Sequence, residues 1–274
     1  AIIVIMTQEL PTLLDGGFKV NCQFTPQKLV ELCKMDAGVI LSEDLKRILY
    51  ANVLLIPDSN ILTNETGTRH RAAERVAKQA KTLVIAVSER RGKVTLYYRD
   101  KRYVLQDSEE ILRRATENLQ ILEKQREIYD ELMTNLNVLE VTGLVSISDV
   151  CSILQRTEMI MRISDIVRKS IVELGRDGNI VKMRLRELTR SIDRTEQLIL
   201  KDYSAKPDRI KQIVSEISFD DLIDTSQMSR LLFNRSGDET IQPRGYRLLS
   251  KLNLSESEIE VLVVGFKSFN NLSN

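Results

Sequence analysis

Glu65-Thr-Gly-Thr-Arg-His-Arg-Ala-Ala-Glu-Arg75 holds the only histidine of the chain, His70, between two arginines. Apolar, β-branched runs stand on either side of it, Arg47–Leu55 before and residues 82–88 after. The motif runs into Ala72-Ala-Glu-Arg-Val-Ala-Lys-Gln-Ala80, which is rich in strong helix formers and follows a Thr-Gly-Thr turn, so a helix starts here. Strand, helix and strand in that order predict an α/β domain. The stretch also concentrates anion donors. Gly67 can take backbone conformations closed to other residues, Thr66 and Thr68 carry hydroxyls, and Arg69 and Arg71 offer planar forks that grip phosphate oxygens two at a time. The unpaired amides of the helix start would point at the same place. Taken alone, such a cluster also fits a basic, solvated helix N-terminus.

Working outward, residues 1–107 alternate between short β-branched runs and short amphipathic helices. Strands are expected at Ile2–Ile5, Gly38–Leu41, Arg47–Leu55 and residues 82–88, 94–98 and 102–105. Thr25-Pro-Gln-Lys-Leu-Val-Glu-Leu-Cys-Lys34 reads as a helix with Thr25 as N-cap and Pro26 in its first position. Arg91-Gly92-Lys93 reads as a hairpin turn. Past residue 107 strand signals stop. Leu112, Ala115, Leu119, Leu122, Arg126, Tyr129, Met133 and Leu136 keep a 3-4 spacing, which predicts one long helix with a packing seam. A second helix is expected from about Ser148 to Leu174, ending at Gly175, and a third from about Ile180 to Tyr203. Residues 208–240 read as shorter helices, and Pro243-Arg-Gly-Tyr-Arg-Leu-Leu249 as the start of a small helical piece. The expected division is therefore 1–107, 108–241 and 242–274.

Composition narrows the partners. The 274 residues are 42% hydrophobic and 29% charged, as in ordinary globular proteins, and no apolar run approaches a membrane span. Lys+Arg 40 against Asp+Glu 39 leaves a net charge of +1, so an anion site must be local and not the product of a global field. Cys22, Cys33 and Cys151 lack metal-ligand spacing and fit buried thiols in a reducing cytoplasm. The opening Ala1-Ile-Ile-Val-Ile-Met6, without an initiator methionine, reads as a fragment entered within a strand.

Two further stretches carry candidate chemistry. Asp36, in Lys34-Met-Asp-Ala-Gly-Val-Ile-Leu41, is a carboxylate on a small-residue loop before a strand. It can hold a divalent metal or take a proton from a hydroxyl, and it can equally be a helix-terminal Asp in a turn. Ser88-Glu-Arg-Arg91 puts a hydroxyl and guanidinium groups at the end of an apolar strand, where α/β sheets bind ligands; an exposed turn is the alternative for Arg90 and Arg91.

Lys34-Met-Asp36, Leu49-Tyr-Ala-Asn-Val-Leu-Leu-Ile-Pro-Asp58, Glu65-Thr-Gly-Thr-Arg-His-Arg71, Ala73-Glu-Arg75 and Val84-Ile-Ala-Val-Ser-Glu-Arg-Arg91 resemble, in order and spacing, the diadenylate cyclase family of DNA integrity scanning proteins. The resemblance continues at Ile171-Val-Glu-Leu-Gly175 and Pro243-Arg-Gly-Tyr-Arg-Leu-Leu249, and so covers nearly the whole chain. It implies a mixed-sheet cyclase domain, an all-helical spine and the start of a C-terminal helix-hairpin-helix domain. The implied reaction condenses two ATP into cyclic di-AMP with release of two pyrophosphates, and uses Mg2+ or Mn2+. By that resemblance Asp36 would ligate the metal and help deprotonate the ribose 3′-hydroxyl, and Arg69, His70 and Arg71 would be catalytic. Ala37, Leu55, Gly67, Thr68, Arg69, His70, Arg71, Ala72, Ser88 and Arg91 would contact ATP, with Leu55 near the adenine. Between two arginines His70 is expected to stay neutral and act through a hydrogen bond.

Further implications are a dimeric active site, assembly to a homo-octamer, a cytoplasmic location, no membrane, and branched-DNA binding through the C-terminal domain of the full-length protein. The Gly-x-Gly hairpin that would meet DNA is absent from residues 245–274. Two positions depart from the family pattern. The family reads Asp-Gly-Ala where this chain has Asp36-Ala37-Gly38, so the Ala37 methyl is expected to crowd the nucleotide. Ala72 stands where the family has a threonine, which removes one hydroxyl contact worth about 1 kcal/mol. Two other function classes stay open on sequence: a non-catalytic module that senses ATP or a cyclic dinucleotide, and a structural scaffold.

Overall fold

The computed structural model describes residues 1–88, 92–252 and 254–266. The chain divides into two compact units, Ala1–Asp107 and Ser108–Asn274.

The first unit is a mixed sheet with a helix on each face. Its strands are β1 (Ile2–Ile5), β2 (Leu14–Asp15), β3 (Phe18–Gln23), β4 (Gly38–Leu41), β5 (Arg47–Leu55), β6 (Leu83–Ser88), β7 (Lys93–Tyr98) and β8 (Lys101–Val104). The order across the sheet is β2-β5-β4-β1-β6-β7-β8, with β3 also on β5. β1 and β4 are parallel, and the other pairs are antiparallel. Because successive strand residues face opposite sides, β1 serves two cores. Ile2 and Val4 pack with Val84, Tyr97 and the small residues Ala73 and Ala77 of helix α2 (Thr68–Gln79). Ile3 faces the other way, onto Leu29 and Leu32 of helix α1 (Pro26–Cys33). The Thr25 hydroxyl caps α1 by accepting from the Lys28 amide at 3.3 Å, as its sequence predicts.

Sequence reading passes over the two-residue β2 and over the longer β3. β3 is an edge strand with an exposed Phe18, polar alternate positions and a register shift between Lys19 and Cys22, where Asn21 has φ +45°. Phe18-Lys-Val-Asn-Cys-Gln23 alternates apolar and polar residues, so the strand signal is present in the sequence, while the bulge and the edge position mark it as a twisted border strand.

The second unit is helical. α3 (Ser108–Thr142) and α4 (Ile147–Leu174) form its main pair. They are followed by α5 (Asn179–Leu188), α6 (Ile192–Tyr203), α7 (Pro207–Glu216), α8 (Phe219–Ile223), α9 (Thr225–Phe233), α10 (Tyr246–Leu249) and α11 (Glu256–Phe266). Ser146 and Asp149 form a reciprocal capping box at the start of α4, and Gly175, at φ +58°, ends it.

Three expectations are corrected here. The seam of α3 begins at Ile111, 5% exposed, and not at Leu112, 39% exposed. The helix expected over 180–203 is broken in two at Thr189–Ser191, with Ser191 at φ +67°. Arg126, counted in the seam as packing material, instead donates from Nη1 to the carbonyls of Leu188 and Arg190, both at 3.0 Å. It thereby satisfies acceptors that the break leaves without helical partners.

The 243–249 piece is held by a buried polar cluster. Asp202 accepts from the amides of Gly245, Tyr246 and Arg247 at 2.8, 2.6 and 3.0 Å. Gly245, at φ +112°, makes the turn into α10. The buried Arg247 guanidinium pairs with Glu140 and donates to Asn137 Oδ1 at 2.7 Å, while Tyr203 donates to the other Glu140 oxygen at 2.5 Å.

Candidate nucleotide site

Helix α2 starts earlier than its composition suggests. Gly67 is the N-cap, and the Arg71 amide already donates to the Gly67 carbonyl at 2.8 Å, so Thr68, Arg69 and His70 form the first turn. The amides of that turn have no acceptor within the helix, and the glycine cap supplies no side chain to satisfy them. Gly67 itself has φ −93°, and a Cβ there would meet only His70 Cδ2, at 3.9 Å. The expected need for glycine's conformational freedom at 67 is therefore not what the backbone shows. The unusual backbone lies at Ala37, whose φ is +64°.

Residues on a helix are about 100° apart, so the first turns of α2 send neighbouring side chains to three places. Thr68, Arg69 and Ala72 share the face that lines a cavity of about 280 Å3. Ile2, Val53 and Leu55 give that cavity its apolar surface, Leu54 adds to the rim, and Ala37, ending the loop before β4, and Gly38, opening β4, close it. Gly38 eases a close approach there, because a Cβ would stand 3.1 Å from the Val53 carbonyl of β5 and the strand would have to give by a few tenths of an ångström.

His70 turns elsewhere. Its Nδ1 lies 3.1 Å from the Tyr97 hydroxyl of β7. Tyr97 donates to Glu65 Oε1 at 2.7 Å, and Arg102 Nε of β8 donates to the same oxygen at 2.5 Å. Burial pushes the Glu65 carboxyl up, but the hydrogen bonds from Tyr97 and Arg102 and the Arg102 charge outweigh it and hold the group below its ordinary value. Burial and the same carboxylate push the Tyr97 phenol well up.

Arg71, exposed, belongs to the third face with Arg75 and Lys78. Arg75 Nε donates to the Ile61 carbonyl at 3.0 Å, and Lys78 Nζ to that of Leu62 at 2.9 Å. The buried Glu74 accepts from the Thr63 hydroxyl and, at 3.3 Å, from the Asn64 amide. These bonds tie residues 61–64, the approach to the motif, onto α2. Asp36 is exposed, one residue before the cavity wall at Ala37. Ser88 ends β6 opposite Lys93 and does not line the cavity. Arg91 lies outside the described residues.

The structure thus brings together Ala37, Leu55, Thr68, Arg69 and Ala72, and separates His70 and Arg71 from them by helix phase. Sequence reading missed Glu65, Tyr97 and Arg102 as a unit. Glu65 opens the motif, but strand register alone brings Tyr97 and Arg102 together as neighbours across β7 and β8.

Residues 1–102 match the family described as DisA bacterial checkpoint controller nucleotide-binding, and residues 105–240 match the DisA bacterial checkpoint controller linker region. The DNA integrity scanning protein DisA of Clostridioides difficile is 42% identical over 276 residues, covering 98% of this chain and 78% of that protein. Its counterpart from Symbiobacterium thermophilum is 42% identical over 271 residues, covering 97% and 77%. The chain belongs to the DisA family. Its cavity lies wholly within the DisA nucleotide-binding match. A solved structure, DacA from Staphylococcus aureus, aligns with 22% identity and a TM-score of 0.31, covering 39% of this chain and 75% of that one. No helix among the described residues is long and apolar enough to cross a membrane.

Proposed function

We propose that this DisA-family chain is a diadenylate cyclase, which joins two ATP molecules into cyclic di-AMP and releases two pyrophosphates. The observation that carries the reading is the cavity in which the loop before β4, the apolar end of β5 and the uncapped start of α2 converge. Adenine packs on the apolar side near Leu55, and the phosphates lie at the first turn of α2. There the Thr68 and Arg69 amides, the Thr68 hydroxyl and the Arg69 guanidinium stabilise charge that develops on the transferring phosphoryl group. Ala72 keeps its place on that face without the hydroxyl of the family threonine. Gly67, His70, Arg71, Ser88 and Arg91 complete the nucleotide contacts, the outer ones once a second nucleotide is seated opposite.

The donor set suits a metal that arrives with the substrate. The described residues hold no cluster of three metal-ligating side chains. Mg2+ binds through one or two carboxylates plus substrate phosphates, and Asp36 beside the cavity is such a carboxylate. Mg2+ or Mn2+ held there supplies charge neutralisation at the phosphates. The cavity of about 280 Å3 opens to solvent, so a nucleotide held there is within reach of a second copy that carries the other half-site. Such dimers assembling to an octamer, branched-DNA binding by the full-length protein, a cytoplasmic location, and the 1–107, 108–241 and 242–274 division belong to the same reading.

Incubation with ATP and Mn2+ followed by separation of the nucleotides tests it. Cyclic di-AMP with two equivalents of pyrophosphate is expected. ATP bound but unchanged would replace the enzyme with a nucleotide sensor, and no binding at all would leave a scaffold.

A further inference from the structure

Tyr97 has one hydroxyl proton and two neighbours that compete for it, Glu65 Oε1 at 2.7 Å and His70 Nδ1 at 3.1 Å. Glu65 is held ionised by Tyr97 and Arg102 against the effect of burial, and an ionised carboxylate can only accept. The Tyr97 proton therefore goes to Glu65. The tyrosine oxygen is left to accept, which makes His70 Nδ1 the donor. In a neutral imidazole a proton on Nδ1 leaves Nε2 bare. The ring edge next to Nε2 is Cδ2, the nearest atom to where a side chain at Gly67 would stand, 3.9 Å away, at the N-terminal end of α2. The bare nitrogen thus belongs to the edge of the ring beside the helix start and opposite its anchored edge.

We propose that Tyr97, oriented by Glu65 and Arg102, is a positioning residue for the cyclase reaction: it fixes His70 as the Nδ1–H tautomer and leaves Nε2, an acceptor in the neutral ring, as the nitrogen that meets the nucleotide. The role in turnover rests on the cyclase reading above, whereas the tautomer does not. The arrangement follows the rule that the hydrogen bond on one ring nitrogen decides what the other presents. It also assigns work to Glu65, an acidic residue at the head of an otherwise basic motif. A carboxylate there orients the tyrosine, and the tyrosine orients the ring.

Because the chain has a single histidine, nitrogen-15 histidine labelling with long-range proton–nitrogen correlation reads this ring and no other. In the full chain without nucleotide, above the pH range of imidazole titration, Nδ1 is expected at the protonated nitrogen shift and Nε2 at the bare one. The opposite pattern would overturn the proposal without any variant. Tyr97→Phe, which preserves the ring packed in the core, should convert the spectrum to the Nε2–H form or a mixture. It should also lower kcat about tenfold, the effect of one misplaced hydrogen bond, with KM for ATP little changed. A Tyr97→Phe protein with the wild-type tautomer, or with a changed tautomer and an unchanged kcat, would sink the positioning role. If the wild-type chain makes no cyclic product, the cyclase reading fails, and the spectrum still decides the tautomer by itself.

Discussion

Ala37 occupies a left-handed backbone conformation, φ +64°, on the wall of the cavity. For a residue with a Cβ that conformation costs about 1–2 kcal/mol, and glycine offsets part of the gain by losing more entropy on folding. Ala37→Gly is therefore expected to stabilise the protein by about 1 kcal/mol, read as a raised Tm, and to increase turnover by removing a methyl from the wall. A lowered Tm would show that the methyl packs usefully. The family order would also need Gly38→Ala, and there the Cβ meets the Val53 carbonyl at 3.1 Å. The double change should consequently be less stable than the single one. Asp36 gives a cleaner chemical test because it is exposed. Asp36→Asn keeps shape and removes charge, so ATP binding should survive while cyclisation falls by about a hundredfold or more. Equal losses of binding and turnover would remove Asp36 from the metal. At this scale the sequence made the motif legible and misassigned the backbone strain. Residue type advertised Gly67, whereas the positive φ belongs to Ala37, which only the family's glycine at that position marks.

Elements were legible where burial sets a period, and illegible where long-range contacts enter. β1, β4 and β5 fall at their expected bounds because each is buried on at least one face. The break between α5 and α6 has its free carbonyls satisfied by Arg126, more than sixty residues away along the chain, and helix propensity contains no record of that contact. Helix phase likewise splits Arg69, His70 and Arg71 onto different faces, which a linear motif conceals. The Glu65 group that joins α2 to β7 and β8 carries a pH signature. Its folded pKa lies below the 4.5 of a free glutamate. Its contribution to stability is therefore complete above about pH 4.5 and is lost as pH falls through the lower folded value. Acid unfolding of Glu65→Gln should differ from wild type near neutrality and converge with it at low pH; a constant offset across the range would contradict the assignment. In the second unit Arg247→Met would leave Glu140 buried without its cation. Loss of about 3–5 kcal/mol is expected, measured by denaturant unfolding.

Joining two identical nucleotides requires two equivalent attacks, and a chain that supplies one set of groups must find the second set elsewhere. Residues 1–107 contain one Asp36 loop and one start of α2, with no internal repeat to provide another. The simplest completion is a second copy related by a two-fold axis, so that each half-site presents its nucleotide to the other. Features of the first unit are consistent with this. Exposed apolar side chains, Leu54, Ile56 and Leu62, stand on β5 and the segment after it. Their burial against a partner would contribute about 25 cal/mol for each Å2 of apolar area removed from water. The expected consequence is concentration dependence. Specific activity should fall on dilution below the dimer dissociation constant, while ATP binding per chain changes little, because one copy holds ATP but lacks a second nucleotide to attack. Sedimentation velocity run alongside the assay should show activity tracking the paired species. A folded monomer that produces cyclic di-AMP at the undiluted rate would place both attacks within one chain and remove the two-fold site.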